Sequence, residues 1–136
     1  MTPSRKRLVL ASLFFTATLS AGNAFGAESV EEQIRKIAAE TQKSLPMQVS
    51  EDVVATHVAT VGKIMLYRYN FTKKLASLSN PNGLKAEYYR SSVNSACTNP
   101  TSINALKQGV SFLYEFYDSD NKFVMQFSID RVSCGR

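Results

Sequence analysis

Cys97 and Cys134 are the only cysteines in the chain, with 36 residues between them, and Cys134 lies two positions from the terminal Arg136. A pair of this kind either closes a large covalent loop or serves redox chemistry, and the compartment decides which. The N-terminal segment speaks to the compartment. Ser4-Arg5-Lys6-Arg7 is positive, Leu8 to Leu19 is apolar and uncharged, and small residues crowd Ser20 to Ala27. Positive, apolar, small is the order of a secretory leader. Its apolar run of 12 residues is shorter than the about 20 that a bilayer-spanning helix needs. Ala24 and Gly26 place small residues three and one before the bond to Ala27. The expected division is a leader over 1–26 and a single domain over 27–136, periplasmic or secreted, with no stable membrane anchor after cleavage.

In an oxidising compartment the two cysteines read as a structural disulfide. Neither sits in C-x-x-C, and neither has a basic neighbour that clearly favours a thiolate. The chain-entropy model gives a loop of this length about 4 kcal/mol of stabilisation.

Removing 1–26 takes Arg5, Lys6 and Arg7 from the 16 basic residues and nothing from the 11 acidic ones, so the formal charge falls from +5 to +2. The remaining cations are scattered, the longest basic runs being Arg35-Lys36 and Lys73-Lys74. Nucleic-acid readers gather such charge on one face, so no nucleic-acid partner is expected. The length and the two cysteines exclude multidomain and repeat architectures, haem attachment and cysteine-rich zinc sites. At 44% hydrophobic residues the chain can form a packed core.

Ser29-Val30-Glu31-Glu32 forms a capping box, and Val30, Ile34, Ile37, Ala38 and Leu45 recur at helical spacing until Pro46. Residues 53–61 and 64–71 are β-branched and aromatic around Gly62-Lys63, which predicts a hairpin. After a turn-rich stretch, residues 84–97 predict a helix with Leu84, Tyr88, Val93 and Ala96 inward, weakened by Ser91, Ser92 and Ser95. Asn99-Pro100 opens a short helix that ends at Gly109. Residues 110–117 and 123–129 are two further strands around an acidic turn, the last with a clean period of two. The expected fold is a two-layer α+β domain with an antiparallel sheet of about four strands in two hairpins. About three helices pack on one face, and one disulfide closes the loop. Tyr67, Tyr69, Tyr114, Phe116 and Phe127 are expected against the helices.

One echo stands out. Gly62 with Leu66-Tyr67-Arg68-Tyr69 matches Gly109 with Leu113-Tyr114-Glu115-Phe116 at the same spacing. If the two strands are neighbours, Arg68 and Glu115 form a cross-strand charge pair worth under about 1 kcal/mol.

Catalytic groups are few. His57, the only histidine, shares its alternation with Val53, Ala55, Ala59 and Val61, which predicts a packed, neutral side chain. A triad or a three-ligand zinc site would need partners that the spacing does not supply. Asp118, Asp120 and Asn121 read as turn formers in preference to calcium ligands, and Glu87 and Glu115 are the candidates for an acid pair. No catalytic residue, metal or cofactor is assigned. Tyr88-Tyr89 must point in different directions on a helix. One of them, with Arg90 and Lys85, suits an interaction surface for a protein partner.

The order of leader, amphipathic helix, Gly62…Leu66-Tyr67, Cys97-x-x-Pro100, Gly109…Leu113-Tyr114, acidic turn and Cys134 resembles the small secreted Pseudomonas family described as quorum-sensing-regulated virulence factors. The resemblance implies a disulfide-bonded secreted domain with a role toward a host and no catalytic residues to transfer. A second analogy, at the level of fold, is to periplasmic pilotins of secretion systems, whose lipid-attachment cysteine this leader lacks. The expected function is an exported, non-enzymatic interaction protein, possession of a virulence role being what the resemblance implies. The alternatives are a small hydrolase using His57 or an acid pair, a small-ligand carrier with an aromatic-lined cavity, and a pilotin-like secretion accessory.

Overall fold

The computed structural model describes residues 28–78 and 81–135. The leader assigned to 1–26 lies outside them. The elements run α1 (Val30–Gln42), β1 (Met47–Ser50), β2 (Val53–Val61), β3 (Ile64–Phe71), α2 (Pro81–Thr98), α3 (Pro100–Lys107), β4 (Ser111–Tyr117) and β5 (Phe123–Ile129). Short 3₁₀ turns occupy Leu75–Ser77 and Arg131–Cys134. Five strands form one sheet in the order β1-β2-β3-β4-β5. The α+β class with helices over one sheet face and a Cys97–Cys134 disulfide is therefore the observed architecture.

Two details differ from the expectation. β1 is a fifth strand, too short for its alternation to register, with Val49 buried against the core. The joint between the two hairpins is parallel: β3 and β4 run side by side in the same direction, while every other pair is antiparallel. A parallel neighbour needs a crossover connection, and α2 with α3 is that crossover. The echo is thereby explained. Leu66 lies beside Leu113, Tyr67 beside Tyr114, Arg68 beside Glu115 and Tyr69 beside Phe116, and the Arg68 Nη2 to Glu115 Oε1 distance is 3.2 Å.

Local chemistry sets the element ends. Ser29 Oγ accepts the Glu32 N–H at 3.1 Å and opens α1. Asn99 Oδ1 accepts from Thr101 and Ser102, with Pro100 at the first turn of α3. Gly62 holds the hairpin turn at φ +59° and Gly109 the exit from α3 at φ +92°, a region that costs glycine little. α2 starts at Pro81, three residues before the predicted start.

The core is an aromatic sheet face. Tyr67, Tyr69, Tyr114, Phe112 and Phe116 are buried there, and successive ring centroids lie 4.9 to 6.2 Å apart. Burial pushes the Tyr67, Tyr69 and Tyr114 phenols above the ordinary tyrosine range. α2 meets these rings with Tyr88, Ser92, Ser95 and Ala96, while Leu84 and Val93 are only partly buried. Ser92 and Ser95, which weaken the helix by propensity, lie on its buried face with Ala96, where small residues suit a helix packed over large rings, while Ser91 is only partly buried. The aromatic face is thus core, packed ring on ring beneath the helices, and not the lining of a carrier cavity.

Candidate functional site

Where the ends of β2 and β3 meet the start of α2, a cleft of about 210 Å³ opens to the surface. Its apolar part comes from Phe71 on β3, Leu84 and Tyr88 on α2, and Leu78 after the 3₁₀ turn. The Phe71 and Tyr88 rings pack edge to face at 5.9 Å. Asp52, Lys73 and Ser77 supply the polar part, with Lys73 Nζ 4.0 Å from Asp52 Oδ1 and both side chains about half exposed. The Thr72 N–H to Asp52 carbonyl bond, 2.9 Å, ties the two strand ends together behind them.

The wall carrying Ser77 and Leu78 is held by Asp118. This carboxylate is 1% exposed. Its Oδ2 accepts the Leu75 N–H at 2.7 Å, and its Oδ1 accepts the N–H groups of Asp120 and Lys122, each at 2.8 Å. Asn70 Nδ2 donates to the Asp118 carbonyl at 2.9 Å. The acidic turn is therefore a brace between β4–β5 and the cleft wall, with both carboxylate oxygens taken by backbone donors. Burial alone would raise the Asp118 pKa. The N–H donors of Lys122, Leu75 and Asp120, aided by the Lys122 charge, outweigh it and hold the carboxyl below the ordinary range. A group depressed on folding contributes stability above its unfolded pKa of about 4, and that contribution disappears as pH falls through the lower folded value. Asp118→Asn is expected to lower the urea midpoint at pH 7 and to shrink the further loss between pH 4 and pH 2. A variant whose midpoint falls with acid as steeply as the parent's would remove Asp118 as a source of that dependence.

The structure divides the tyrosine pair as helical geometry requires. Tyr88 is 4% exposed and belongs to the core and the cleft, which corrects its place in the proposed surface patch: it shares its helix face with Leu84, Ser92 and Ser95. Tyr89 is 36% exposed and rests edge-on against Phe127 of the edge strand β5 at 5.5 Å. Lys85 and Arg90 are exposed on the same helix. Cys97 and Cys134 are bonded, with their Cα atoms 5.6 Å apart, joining the end of α2 to the terminal 3₁₀ turn.

His57 is not packed in the core. A β-bulge between Ala55 and His57 inserts Thr56 into β2 and reverses the alternation. Val53 and Ala55 point inward, Val58 takes over the inward place, and His57 is exposed beside Thr56 Oγ1 at 3.2 Å. Glu115 is paired with Arg68, whose guanidinium also lies 4.7 Å over the Tyr117 ring, on the sheet face away from the helices. Glu87 is on α2, across the sheet from Glu115. The two acids cannot flank one bond, and neither they nor His57 line the cleft. Among the described residues, no group of three or more His, Cys, Asp and Glu side chains could hold a metal ion.

The sequence placed Leu84 and Tyr88 on one inward helix face but gave no sign of the cleft that they line. Asp52, the pair Phe71 and Lys73, the pair Ser77 and Leu78, and Leu84 come from four segments, and no spacing in the chain announces their convergence.

No family model matches the chain, and no curated protein matches it either. Solved structures do. A Pseudomonas aeruginosa protein described as secreted superposes with a TM-score of 0.63 at 20% identity, covering 77% of this chain and 92% of that one. The type II secretion pilotin EpsS of Vibrio vulnificus gives 0.65 at 15% identity, covering 77% and 91%. The type II secretion pilotin AspS of Vibrio cholerae gives 0.61 at 14% identity, covering 77% and 92%. At these identities the shared property is the backbone, and the chain has the α+β fold seen in a Pseudomonas protein described as secreted and in two type II secretion pilotins.

Proposed function

We propose that this protein is an exported, non-catalytic binding protein of the pilotin type, which holds a segment of a secretion-machine protein through the cleft between α2 and the sheet. The observation that carries the reading is the fold shared with two type II secretion pilotins over nearly their whole length. The cleft supports it with an apolar floor for an anchoring side chain and an Asp52–Lys73 rim for the polar backbone beside it. The leader over 1–26 delivers the chain to the envelope, where the disulfide forms. Lys85, Tyr89 and Arg90 lie on the outward side of the same helix and extend the contact.

A photo-crosslinking residue in place of Leu84 tests this reading, with one in place of His57 on the opposite sheet face as the control. The expected result is a single adduct from Leu84, in living cells, to a component of the type II secretion machinery, and none from His57. Leu84→Glu, folded as judged by an unchanged urea midpoint, is expected to reduce co-purification of that component at least about ten-fold, the loss of about 1.4 kcal/mol or more of binding. Equal labelling from both sites, or adducts unrelated to secretion, would discard the pilotin reading.

A further inference from the structure

The exposed large hydrophobics are not spread evenly. Apart from Tyr89 and Phe123, the exposed large hydrophobics among the described residues lie at the end of the sheet away from the cleft: Val61 (67% exposed) and Ile64 (38%) side by side at the hairpin, and Val132 (77%) in the turn after β5. The pairing places them there. Val61 faces Ile64 across the β2–β3 turn, Ile64 lies beside Ser111 at the start of β4, and Phe112 faces Ile129, after which the terminal turn carries Val132.

Cations stand among them. Lys63 is at the hairpin tip, and its Nζ donates to the Gln108 carbonyl at 3.1 Å, next to Lys107 at the end of α3. Lys107 and Arg131 line the same shallow crevice above Cys134. Lys63, Lys107 and Arg131 are all exposed. Within 61–64, 107–111 and 129–135 the one acid is Asp130, and its carboxylate accepts the Ser133 N–H as the cap of the terminal turn. This end therefore carries an excess of positive charge around three protruding aliphatic side chains.

We infer that this end of the domain is a docking surface for an anionic bilayer, with Val61, Ile64 and Val132 entering the headgroup region and Lys63, Lys107 and Arg131 facing the acidic lipids. Two features favour a bilayer over an acidic protein. The aliphatic side chains project from a hairpin tip and a terminal turn, and a fluid surface accepts such projections without a matching socket. Lys63 stands at the same hairpin as Val61 and Ile64, and Arg131 precedes Val132 beside Lys107, so cations accompany the aliphatic side chains, and each contributes about five-fold in partitioning, the equivalent of about 1 kcal/mol. The association is peripheral and reversible. Among the described residues no helix is long and apolar enough to cross a membrane.

Vesicle sedimentation tests the inference, using the chain as recovered from its host with its mass verified. Vesicles of phosphatidylcholine with about 30% phosphatidylglycerol are compared with pure phosphatidylcholine, each at low salt and in concentrated sodium chloride. The expected result is pelleting with the anionic vesicles alone, diminished by salt. Lys63→Gln/Lys107→Gln/Arg131→Gln is expected to lose about 100-fold in partitioning, the product of three five-fold terms. Val61→Ser/Val132→Ser is expected to weaken it with the charge intact, both variants keeping the parent circular dichroism spectrum. Equal pelleting with neutral vesicles, no pelleting with either, or retention of binding by the triple variant would overturn the inference. Retention on an immobilised polyglutamate surface without vesicle binding would also overturn it, in favour of an acidic protein partner.

Discussion

Replacing Phe116 by alanine is expected to destabilise the protein by about 3–5 kcal/mol, the range for truncating a fully buried Phe. Phe116 has no exposed surface. Its ring lies 4.9 Å from Tyr69, 5.6 Å from Phe71, 5.3 Å from Tyr88 and 5.9 Å from Phe127. No neighbour can collapse into the vacated volume without leaving another ring, so the cavity persists and its cost adds to the lost transfer energy. A domain of this size has about 5–15 kcal/mol in total. The variant should therefore melt roughly 15–30 °C below the parent, if it accumulates at all. Phe123, at 53% exposure and resting edge-on against Tyr117, is the matched control. Phe123→Ala is expected to change stability by less than about 0.5 kcal/mol. Equal midpoints for the two variants in urea would show that the ring cluster is not the core. The cleft gives the first variant a functional readout as well, because Tyr88 and Phe71 both lean on Phe116 and form the cleft floor.

Breaking the disulfide is expected to have a comparable effect by a different route. Cys97→Ser/Cys134→Ser removes a covalent loop that restricts the unfolded chain, and the loop length corresponds to about 4 kcal/mol. The bond lies where the end of α2 meets the terminal turn, with Cys134 packed against the margin of the core, so the folded state keeps its ring cluster and loses only that marginal packing. The expected signature is a large fall in the urea midpoint with an unchanged near-ultraviolet spectrum before unfolding. Amide exchange should rise first in Arg131–Gly135, the segment that the bond holds against α2 and α3. Reduction of the parent with excess dithiothreitol should reproduce the midpoint of the double variant. A parent whose midpoint is the same with and without reductant would show that the loop contributes nothing to stability.

How far the fold was legible differs by element. Caps and periods acted locally and could be read: Ser29 opens α1, Asn99-Pro100 opens α3, and the two hairpins lie where β-branched and aromatic residues flank a turn. The echo between 62–69 and 109–116 was visible as sequence, yet its meaning was not. Matched residues face each other because the strands are parallel and in register, and strand direction depends on the crossover formed by α2 and α3. β1 escaped notice because four residues carry too little alternation, and its place depends on the β2 edge beside it.

The site was less legible than the fold, and His57 shows why. Strict alternation from Val53 carries it inward. One extra residue at Thr56 turns it out, and that bulge is set by how β2 fits both β1 and β3. Tyr88 was reached because adjacent helical residues must diverge, although which of the pair would be buried required knowing where the sheet lies. The cleft itself assembles Asp52 before β2, Phe71 at the end of β3, Leu78 after the 3₁₀ turn and Leu84 with Tyr88 on α2. The amino-acid order by itself determined the starts of α1 and α3, the hairpins, the aromatic inner face and the pairing of the only two cysteines, since these follow from short-range geometry and from having no other thiol to choose. Tertiary structure alone decided the parallel joint, the outward histidine, the bracing role of Asp118 and the cleft, because each depends on contacts between segments whose relative placement is fixed only when the whole sheet packs beneath its helices.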